Sequence, residues 1–360
     1  MILWIEEDRM TEVKRTSFGY LRDGREAMLF TLTNCKGVSV AFTNYGVTMV
    51  QLIVPDKKDL PGDIVLGYDS VGEYEFHDRL AGATCGRVAA RLAGGEFYLR
   101  GMRYQTARNE GNTHTLHGGF CGFDKKLWEF EEDREQIRFI YTSEDGEEGF
   151  PGRLTVQITC SLSEENEVCI FYQAESDRDT IVNLTNHIYF NLEGHGCGPV
   201  NRHQIRLFAD YYVPCDGTPM PDGQILSVRD TPMDLRYPVE IGSGLESGFY
   251  QISALRGYNH DFILDKKERG SFEPGGVVWE YNSGRRMEIF TTEPAVHFFT
   301  ANNLTRRKGK KGAVYNAYGG FCIEPGFLAN SMKFLHFPSP ILRKGEIYQH
   351  KTSFKFSIIE

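Results

Sequence analysis

The sequence predicts an all-β protein, built as a large antiparallel β-sandwich with few short helices. Between residues 153 and 163 every second side chain is apolar, which is the period of a strand with one buried face. Helical periodicity is rare, and residues 70–79 form the one modest helix candidate. Long runs of strand with little helix indicate a sandwich or a barrel, and not alternating strand–helix units.

Further strand signals occur along the whole chain. Residues 97–99 and 102–104 flank the dipeptide Arg100-Gly101, a pattern typical of a tight hairpin. Residues 168–172 form another strand candidate, and apolar side chains again alternate between residues 354 and 358. No linker of biased composition and no internal repeat divides the chain, so residues 1–360 are predicted to form a single domain.

Composition and charge exclude several classes of function. The net charge of −9 gives no broad electrostatic attraction to nucleic acid or to an acidic membrane. The longest apolar runs fall short of the roughly 18–20 residues that a membrane span needs, and residues 1–10 contain three acidic side chains and no export signal. We therefore expect a protein without nucleic-acid or membrane partners.

The eight cysteines are scattered and form no CxxC pair, so neither a metal cluster nor a disulfide framework is indicated. Reduced thiols in a cytoplasmic protein are the preferred interpretation. Cys160 and Cys322 lie in apolar runs and are expected in the core. The basic run at residues 306–311 is expected to be a solvated hairpin loop, with phosphate binding as the alternative.

One stretch near the middle of the chain is unusually polar for its surroundings. Residues 184–192 place Asn186, His187 and Asn191 among large apolar side chains. Buried polar groups need hydrogen-bond partners or a ligand, and an imidazole exchanges a proton near neutral pH. His187 is therefore the leading candidate for chemistry.

Other polar side chains lie in apolar or glycine-rich segments near the ends of predicted strands, where function is often placed. They are Arg87, Arg91, His117, Asn259, Asp261, His297 and Glu324. Each also admits a structural interpretation: surface ion pairs for the arginines, a turn for His117 and solvent exposure for Glu324. On a strand, Arg87 and Arg91 would share a face.

No metal-ligand spacing, nucleophile elbow, phosphate-binding glycine loop or dinucleotide fingerprint is present in the sequence. Separated histidines, arginine, a carboxylate and nearby aromatic rings suit a polyhydroxylated neutral ligand. The residues alone thus indicate a β-rich enzyme or a sugar-binding protein.

Taken together, these motifs resemble the aldose 1-epimerase (galactose mutarotase) family. The specific ones are Thr-Asn-His-x-Tyr-Phe-Asn-Leu at residues 185–192 and Leu-His-Gly-Gly at residues 116–119, and supporting segments keep the family's order from residue 86 to residue 356. The resemblance implies a mutarotase-like β-sandwich that interconverts the α and β anomers of a free aldose without cofactor or metal. It leaves open a monomer or a homodimer.

The resemblance also implies roles for individual residues. His187 would be the general acid and Glu324, in a partly desolvated pocket, the general base. Expected contacts to the sugar are made by Arg91, His117, Tyr189, Asn259, Asp261 and His297.

Several positions depart from the family pattern. Ala90 and Asn259 stand where the family usually has an asparagine and an aspartate, and His297 fills a glutamine position. Asp261, two residues from Asn259, shares its face on a strand and is expected to supply the missing carboxylate. These departures concern the choice of sugar more than the proton transfer.

Two alternatives to a free-aldose mutarotase stay open at this point. One is a phosphosugar 1-epimerase that uses Arg87, Arg91 or the basic run at residues 306–311 for phosphate. The other is a carbohydrate-binding relative without turnover, motivated by the changes at Ala90, Asn259 and His297.

Overall fold

Antiparallel strands dominate the computed structural model, which describes residues 11–77 and 80–359. Residues 1–10, where no export signal is predicted, lie outside the described part, as does Arg79 at the end of the predicted helix. Every pair of neighbouring strands in the described sheets is antiparallel, which agrees with the sandwich predicted from the sequence. No described helix has the length and apolar character needed to cross a bilayer.

The largest sheet, called here the large sheet, has nine strands. In spatial order they are Glu129–Glu132, Gln136–Ser143, Leu154–Leu162, Glu167–Ser176, Ile347–Ile358, Arg285–Thr291, Glu273–Trp279, Gln204–Leu207 and Val239–Glu240. The alternation predicted for residues 153–163 is confirmed, because buried and partly exposed side chains alternate along Leu154–Leu162. In the C-terminal strand, Ile347–Ile358, Phe354 and Phe356 are buried, whereas Ile358 is exposed.

Two five-stranded sheets complete the architecture. The N-terminal sheet contains, in order, Glu12–Tyr20, Glu26–Thr33, Ser39–Thr43, Thr48–Pro55 and Pro61–Asp63. The second, called here the site sheet, contains Leu226–Ser227, Tyr211–Val213, Asn259–Ile263, Ala295–Phe299 and Cys322–Gly326.

Short elements connect the sheets. The two-stranded pairs are Thr84–Cys85 with Thr185–Asn186, Arg91–Leu92 with Thr115–Leu116, Glu96–Leu99 with Met102–Gln105, Thr180–Ile181 with Ile341–Leu342, and Arg307–Lys308 with Val314–Tyr315. The α-helices are Val71–Phe76, Ile241–Leu245 and Tyr250–Ala254. The 3-10 turns are Ala93–Gly95, Phe123–Lys125, Glu147–Gly149, Val200–Arg202, Lys310–Gly312 and Ser331–Lys333.

One hydrophobic core joins the three sheets. It includes Phe30 of the N-terminal sheet, Phe139 of the large sheet and Phe298 of the site sheet. The rings of Phe30 and Phe139 meet edge to face with centroids 5.6 Å apart, a favourable arrangement for two aromatic side chains. The buried faces of the sheets therefore pack on one another, as a sandwich requires.

The predicted hairpin and helix are both present. Arg100 and Gly101 have φ angles of 49° and 78°, the left-handed conformation that a two-residue hairpin turn requires. The helix is shorter than predicted, at Val71–Phe76. Its first turn is capped by Ser70, whose Oγ accepts from the backbone N–H of Glu73 and donates to the Glu73 carboxylate, a reciprocal capping arrangement.

The basic run at residues 306–311 is part of a hairpin as predicted, since Arg307–Lys308 pairs with Val314–Tyr315. It is not fully solvated, and that part of the prediction was wrong. Lys310 is buried, and its Nζ donates to the Asp63 carboxylate at 2.6 Å and to the Val50 carbonyl at 2.9 Å. Burial lowers the pKa of Lys310, and the charge of Asp63 opposes this effect. The side chain of Lys310 therefore fastens the segment to the N-terminal sheet.

We predict that Lys310→Ala lowers the free energy of unfolding by about 3–5 kcal/mol, because Asp63 would keep a buried charge without its cation. Chemical denaturation at neutral pH measures the change. The matched control is Lys308→Ala, at an exposed lysine of the same segment, which should change stability by no more than about 0.5 kcal/mol. Equal effects of the two variants would contradict the structural role of Lys310.

Candidate active site

Three neighbouring strands of the site sheet place polar side chains in one row. Asp261 pairs with His297 on the next strand, and His297 pairs with Glu324 on the strand after it. Residues directly opposite in antiparallel strands share a face of the sheet. The register therefore gathers three titratable side chains that are far apart in the sequence.

The central polar stretch divides into structural residues and one residue that faces a cavity. The Asn186 amide donates to the carbonyls of Val47 and Gly82, and the Asn191 amide donates to those of Gly198 and Gly319. These two side chains have partners within the fold. His187 instead lines a cavity at the site sheet.

His187 and Glu324 face each other in this cavity. Nε2 of His187 lies 3.6 Å from Oε1 of Glu324, and the residues are 7% and 6% exposed. The ring of Tyr189 stacks on that of His187 with centroids 4.8 Å apart and an interplanar angle of 22°. The predicted desolvated pocket for Glu324 is thus present, and its solvent-exposed alternative is excluded.

Cys322 is buried as predicted, but it is also part of the site. Its Sγ lies 3.4 Å from Nδ1 of His187, and burial raises the pKa of the thiol well above its ordinary value. A neutral thiol is also a weak acceptor, so Nδ1–H of a protonated imidazole can donate to Sγ. The second ring proton then lies on Nε2, the nitrogen that faces Glu324.

The cavity has a volume of about 140 Å³. It is lined by Leu80, Ala90, Arg91, Leu116, His117, His187, Tyr189, Asn259, His297, Phe299, Asn303 and Glu324. A larger cavity of about 770 Å³ lies elsewhere, between the large sheet and residues 339–342. The smaller cavity is the candidate active site because His187 and Glu324 face each other in it.

Arg91 is held at the cavity wall by Glu110. Its Nε and Nη2 donate to the Glu110 carboxylate at distances down to 2.7 Å, a two-point contact that fixes the plane of a guanidinium. Nη1 takes no part in this contact. Nothing near Glu110 in the sequence signals its role, which arises only when the strands Arg91–Leu92 and Thr115–Leu116 pair.

Arg87 does not share the face of Arg91, so that prediction was wrong. The chain bends between them, and Ala90 has a φ of 60°. Arg87 is 2% exposed, and its guanidinium donates to backbone carbonyls that include those of Ser143 and Pro151. The alternative interpretation of Arg87, an ion pair at the surface, is also excluded, because its guanidinium is buried and binds the carbonyls of a turn.

His117 lies at the cavity wall in a tight turn. Its Nδ1 accepts from the backbone N–H of Ala90 at 3.2 Å, and burial lowers the pKa of His117 well below its ordinary value. Gly118 follows with a φ of 93°, and a Cβ there would lie 1.8 Å from the Gly86 carbonyl oxygen. Only glycine fits this position, which explains the paired glycines of the motif.

Asn259, His297 and Asp261 form a hydrogen-bonded chain. Nδ1 of His297 lies 2.6 Å from Oδ1 of Asp261, and Nε2 lies 2.8 Å from Oδ1 of Asn259. The prediction that Asp261 and Asn259 share a face is confirmed, since both contact one imidazole. Asp261 lies behind His297 and does not line the cavity, and its other oxygen accepts from the Ala329 N–H at 2.7 Å.

Seven of the eight predicted site residues line the cavity, and Asp261 supports the wall. Several wall residues were not predicted from the sequence: Leu80, Ala90, Leu116, Phe299 and Asn303, with Cys322 and Glu110 behind them. Asn303 had a usable signal, because it lies in a polar pair just after a strand.

Two groups of possible metal ligands share Glu324. Cys85 and His117 form one group with it, and His187 and Cys322 form the other, with ligand atoms within 4.8 Å of one another in each group. Sulfur, imidazole and carboxylate suit zinc. A metal there would occupy the carboxylate and imidazole that face each other, and the prediction of a metal-free enzyme stays a prediction.

Comparisons with known proteins agree with the fold. A family model described as aldose 1-epimerase matches residues 28–355. The chain is 39% identical to galactose mutarotase of Sus scrofa over 350 residues, which cover 97% of this chain and 100% of that protein.

Two solved structures are similar over nearly the whole chain. A GalM/aldose epimerase homologue from C. elegans has a TM-score of 0.85 and 29% identity, and covers 97% of this chain and 100% of that one. A galactose 1-epimerase from Lactobacillus acidophilus NCFM has a TM-score of 0.84 and 27% identity, with the same coverage.

The fold, the cavity and these relatives define the class of protein: an isomerase built on a large antiparallel β-sandwich. More specifically, the chain belongs to the aldose 1-epimerase family. The resemblance inferred from the motifs is therefore confirmed, and so is the mutarotase-like sandwich.

We predict that Glu110→Gln raises KM by roughly 5–30-fold, because a hydrogen bond between charged groups contributes about 1.5–3 kcal/mol and part of the contact remains. The change in kcat should be smaller, since Glu110 orients Arg91 but does not contact His187 or Glu324. Anomer-resolved NMR kinetics supplies both constants.

The control for this variant is Glu96→Gln, at a glutamate that binds Arg103 at the surface, away from the cavity. It should leave KM unchanged. A KM for Glu110→Gln equal to that of the control would show that Arg91 needs no anchor.

Proposed function

We propose that the protein is an aldose 1-epimerase of free aldoses, with His187 as general acid and Glu324 as general base. The observation that carries the proposal is their arrangement: Nε2 and Oε1 lie 3.6 Å apart in a small buried cavity. The ring oxygen and the anomeric oxygen of an aldose are bonded to the same carbon. Two groups this close together can therefore reach both oxygens at once.

Catalysis then consists of two coupled proton transfers. Glu324 takes the proton of the anomeric hydroxyl while His187 gives a proton to the ring oxygen, and the bond between C1 and the ring oxygen breaks. The aldehyde turns about the C1–C2 bond. Reclosure on the other face returns both protons and yields the opposite anomer.

The remaining wall residues bind and orient the sugar. Arg91, His117 and Asn259 offer hydrogen-bonding groups for hydroxyls, and Tyr189 fixes the plane of the His187 ring by stacking. A site held in place before the sugar arrives loses little free energy to reorganisation during the reaction. Arg91, whose guanidinium is held by the Glu110 carboxylate, is an example of such a fixed group.

A free aldose is preferred to a phosphosugar because Glu110 holds Arg91 and the residues found to line the cavity include none of the basic run. Arg87 is buried against backbone carbonyls, and Lys310 is paired with Asp63. A regulatory relative without turnover is disfavoured because the facing acid and base are present.

The proposal extends to the whole protein. Its eight cysteines are all free thiols, which supports a reducing compartment and hence the cytoplasm. We infer that residues 1–360 form one domain, acting as a monomer or a homodimer on a small sugar without cofactor.

We predict that His187→Ala and Glu324→Gln each lower the rate of anomer interconversion by roughly 10²–10⁴-fold, the usual contribution of one acid or base. Polarimetry or NMR on freshly dissolved α-anomers of several aldoses measures the rate. The control Glu346→Gln, at an exposed carboxylate, should keep full activity. A folded wild-type protein that accelerates none of the aldoses would overturn the proposal.

A second prediction concerns phosphate. The protein should act faster on glucose than on glucose 6-phosphate, because the described cavity wall has Arg91 as its one arginine or lysine and Glu110 already holds it. Anomer-resolved NMR compares the rates directly. A clear preference for the phosphorylated sugar would favour the alternative function and implicate Arg91.

A further inference from the structure

The cavity wall formed by Asn259 and His297 is part of a hydrogen-bonded chain that continues to Asp261. We propose that the Asp261–His297–Asn259 chain determines specificity by turning the amide NH2 of Asn259 toward the sugar, in a way that depends on the proton of His297. The inference rests on the proposed function only in taking an aldose as the ligand of this cavity. It assigns a positioning role to Asp261 and His297.

The hydrogen bonds fix the direction of each group. A carboxylate accepts, so Nδ1 of His297 donates to Asp261 at 2.6 Å. In the orientation proposed for Asn259, its carbonyl oxygen is the atom 2.8 Å from Nε2, so Nε2 donates to it. Both ring nitrogens then carry hydrogen, and His297 is an imidazolium.

The orientation of Asn259 follows from this charge. Because its Oδ1 is bonded to His297, its NH2 is left to face the cavity that Asn259 lines. Loss of the Nε2 proton would turn that nitrogen into an acceptor. The amide would then rotate, donate its NH2 to His297 and present its carbonyl oxygen to the sugar.

The surroundings of His297 favour the protonated form. Burial acts to lower its pKa, but the hydrogen bond to Asp261 and the Asp261 charge outweigh this effect and raise the pKa above its ordinary value. The charged or titratable groups around His297 are Asp261 on one neighbouring strand, with His260 on the opposite face of that strand, Glu324 on the other neighbouring strand, and Arg91 and His117 across the cavity.

Two of these groups are neutral near physiological pH. Burial lowers the pKa of His260 to about 3, and burial lowers that of His117 well below its ordinary value. Glu324 favours the imidazolium and Arg91 opposes it. Asp261 therefore remains the main partner of the His297 charge.

Affinity for the sugar should therefore depend on pH. The protonated form, with the Asn259 NH2 toward the sugar, is complete at low pH and is lost as pH rises through the raised pKa of His297. Affinity for the aldose should hold at pH 6.5 and weaken above it by about three- to tenfold, the effect of one hydrogen bond. By linkage, sugar binding above this pKa takes up a proton.

The state of His297 is measured directly, without turnover. With ¹⁵N-labelled histidine, a long-range ¹H–¹⁵N spectrum at pH 6.5 should show hydrogen on both ring nitrogens of His297. Its signals are assigned by their loss in His297→Gln and by their shift in Asp261→Asn, so one poorly folding variant does not prevent assignment. A ring with a bare Nε2 at this pH overturns the proposal.

Calorimetric titration with an aldose between pH 6 and pH 8.5 tests the consequence. His297→Gln keeps an N–H donor for Asn259 but cannot titrate, so its affinity should lose the pH dependence seen in the wild type. His336→Gln, at an exposed histidine, should retain that dependence. An unchanged pH dependence in His297→Gln contradicts the role of His297.

A panel of deoxy and deoxyfluoro aldoses identifies the group that Asn259 contacts. At that position fluorine still accepts a hydrogen bond but cannot donate one, so the fluoro sugar should bind the wild type more tightly than the deoxy sugar. In Asn259→Asp, which presents a carboxylate, the order should reverse. The same order in both proteins would mean that Asn259 does not donate to the sugar.

These readouts separate the inference from the proposed function. Flat polarimetry together with a doubly protonated His297 and pH-dependent sugar binding would reject mutarotase activity and keep the specificity device. Normal catalysis with a singly protonated His297 would do the opposite.

Discussion

The arrangement of the site depends on the register of three buried strands. His297 and Glu324 are neighbours across the site sheet, and the positions before and after them point to its other face. On that face Phe298 and Ile323 are 0% and 1% exposed. A slip by one residue would exchange the two faces and expose these side chains, at a cost of about 1.5–3 kcal/mol for each large apolar group. Hydrophobic burial thus sets the distance between polar groups.

His187 reaches this sheet from a separate part of the chain. The backbone N–H of His187 donates to the Ala83 carbonyl, and the N–H of Gly82 donates to the His187 carbonyl. Asn186, next to it, binds the carbonyls of Val47 and Gly82. The polar density that first marks this stretch in the sequence therefore serves two purposes. The asparagine holds the backbone, and the histidine enters the cavity.

The strands could be predicted from alternation because burial of one sheet face leaves a local pattern, as in Leu154–Leu162. The roles of charged residues could not, since charge alone does not report depth. The sequence pattern predicts that Lys310 is part of a solvated basic run, because its partner Asp63 lies 247 positions away in the sequence. The burial of Arg87 could not be predicted either, since its partners include backbone carbonyls, which leave no pattern in the sequence. Motif resemblance identified His187 and Glu324, whereas Glu110 had no local signal.

Two carboxylates lie behind the cavity wall, each paired with a residue that lines the cavity. Arg91 has its own carboxylate in Glu110, and His297 has its own in Asp261. Neither of these carboxylates lines the cavity. Glu324 is the one carboxylate among the described residues that line the cavity, and a carboxylate held in an ion pair is a poor acceptor of protons. In the proposed function, these pairs therefore leave the Glu324 carboxylate to accept a proton, and they hold Arg91 and His297 in place at the cavity wall.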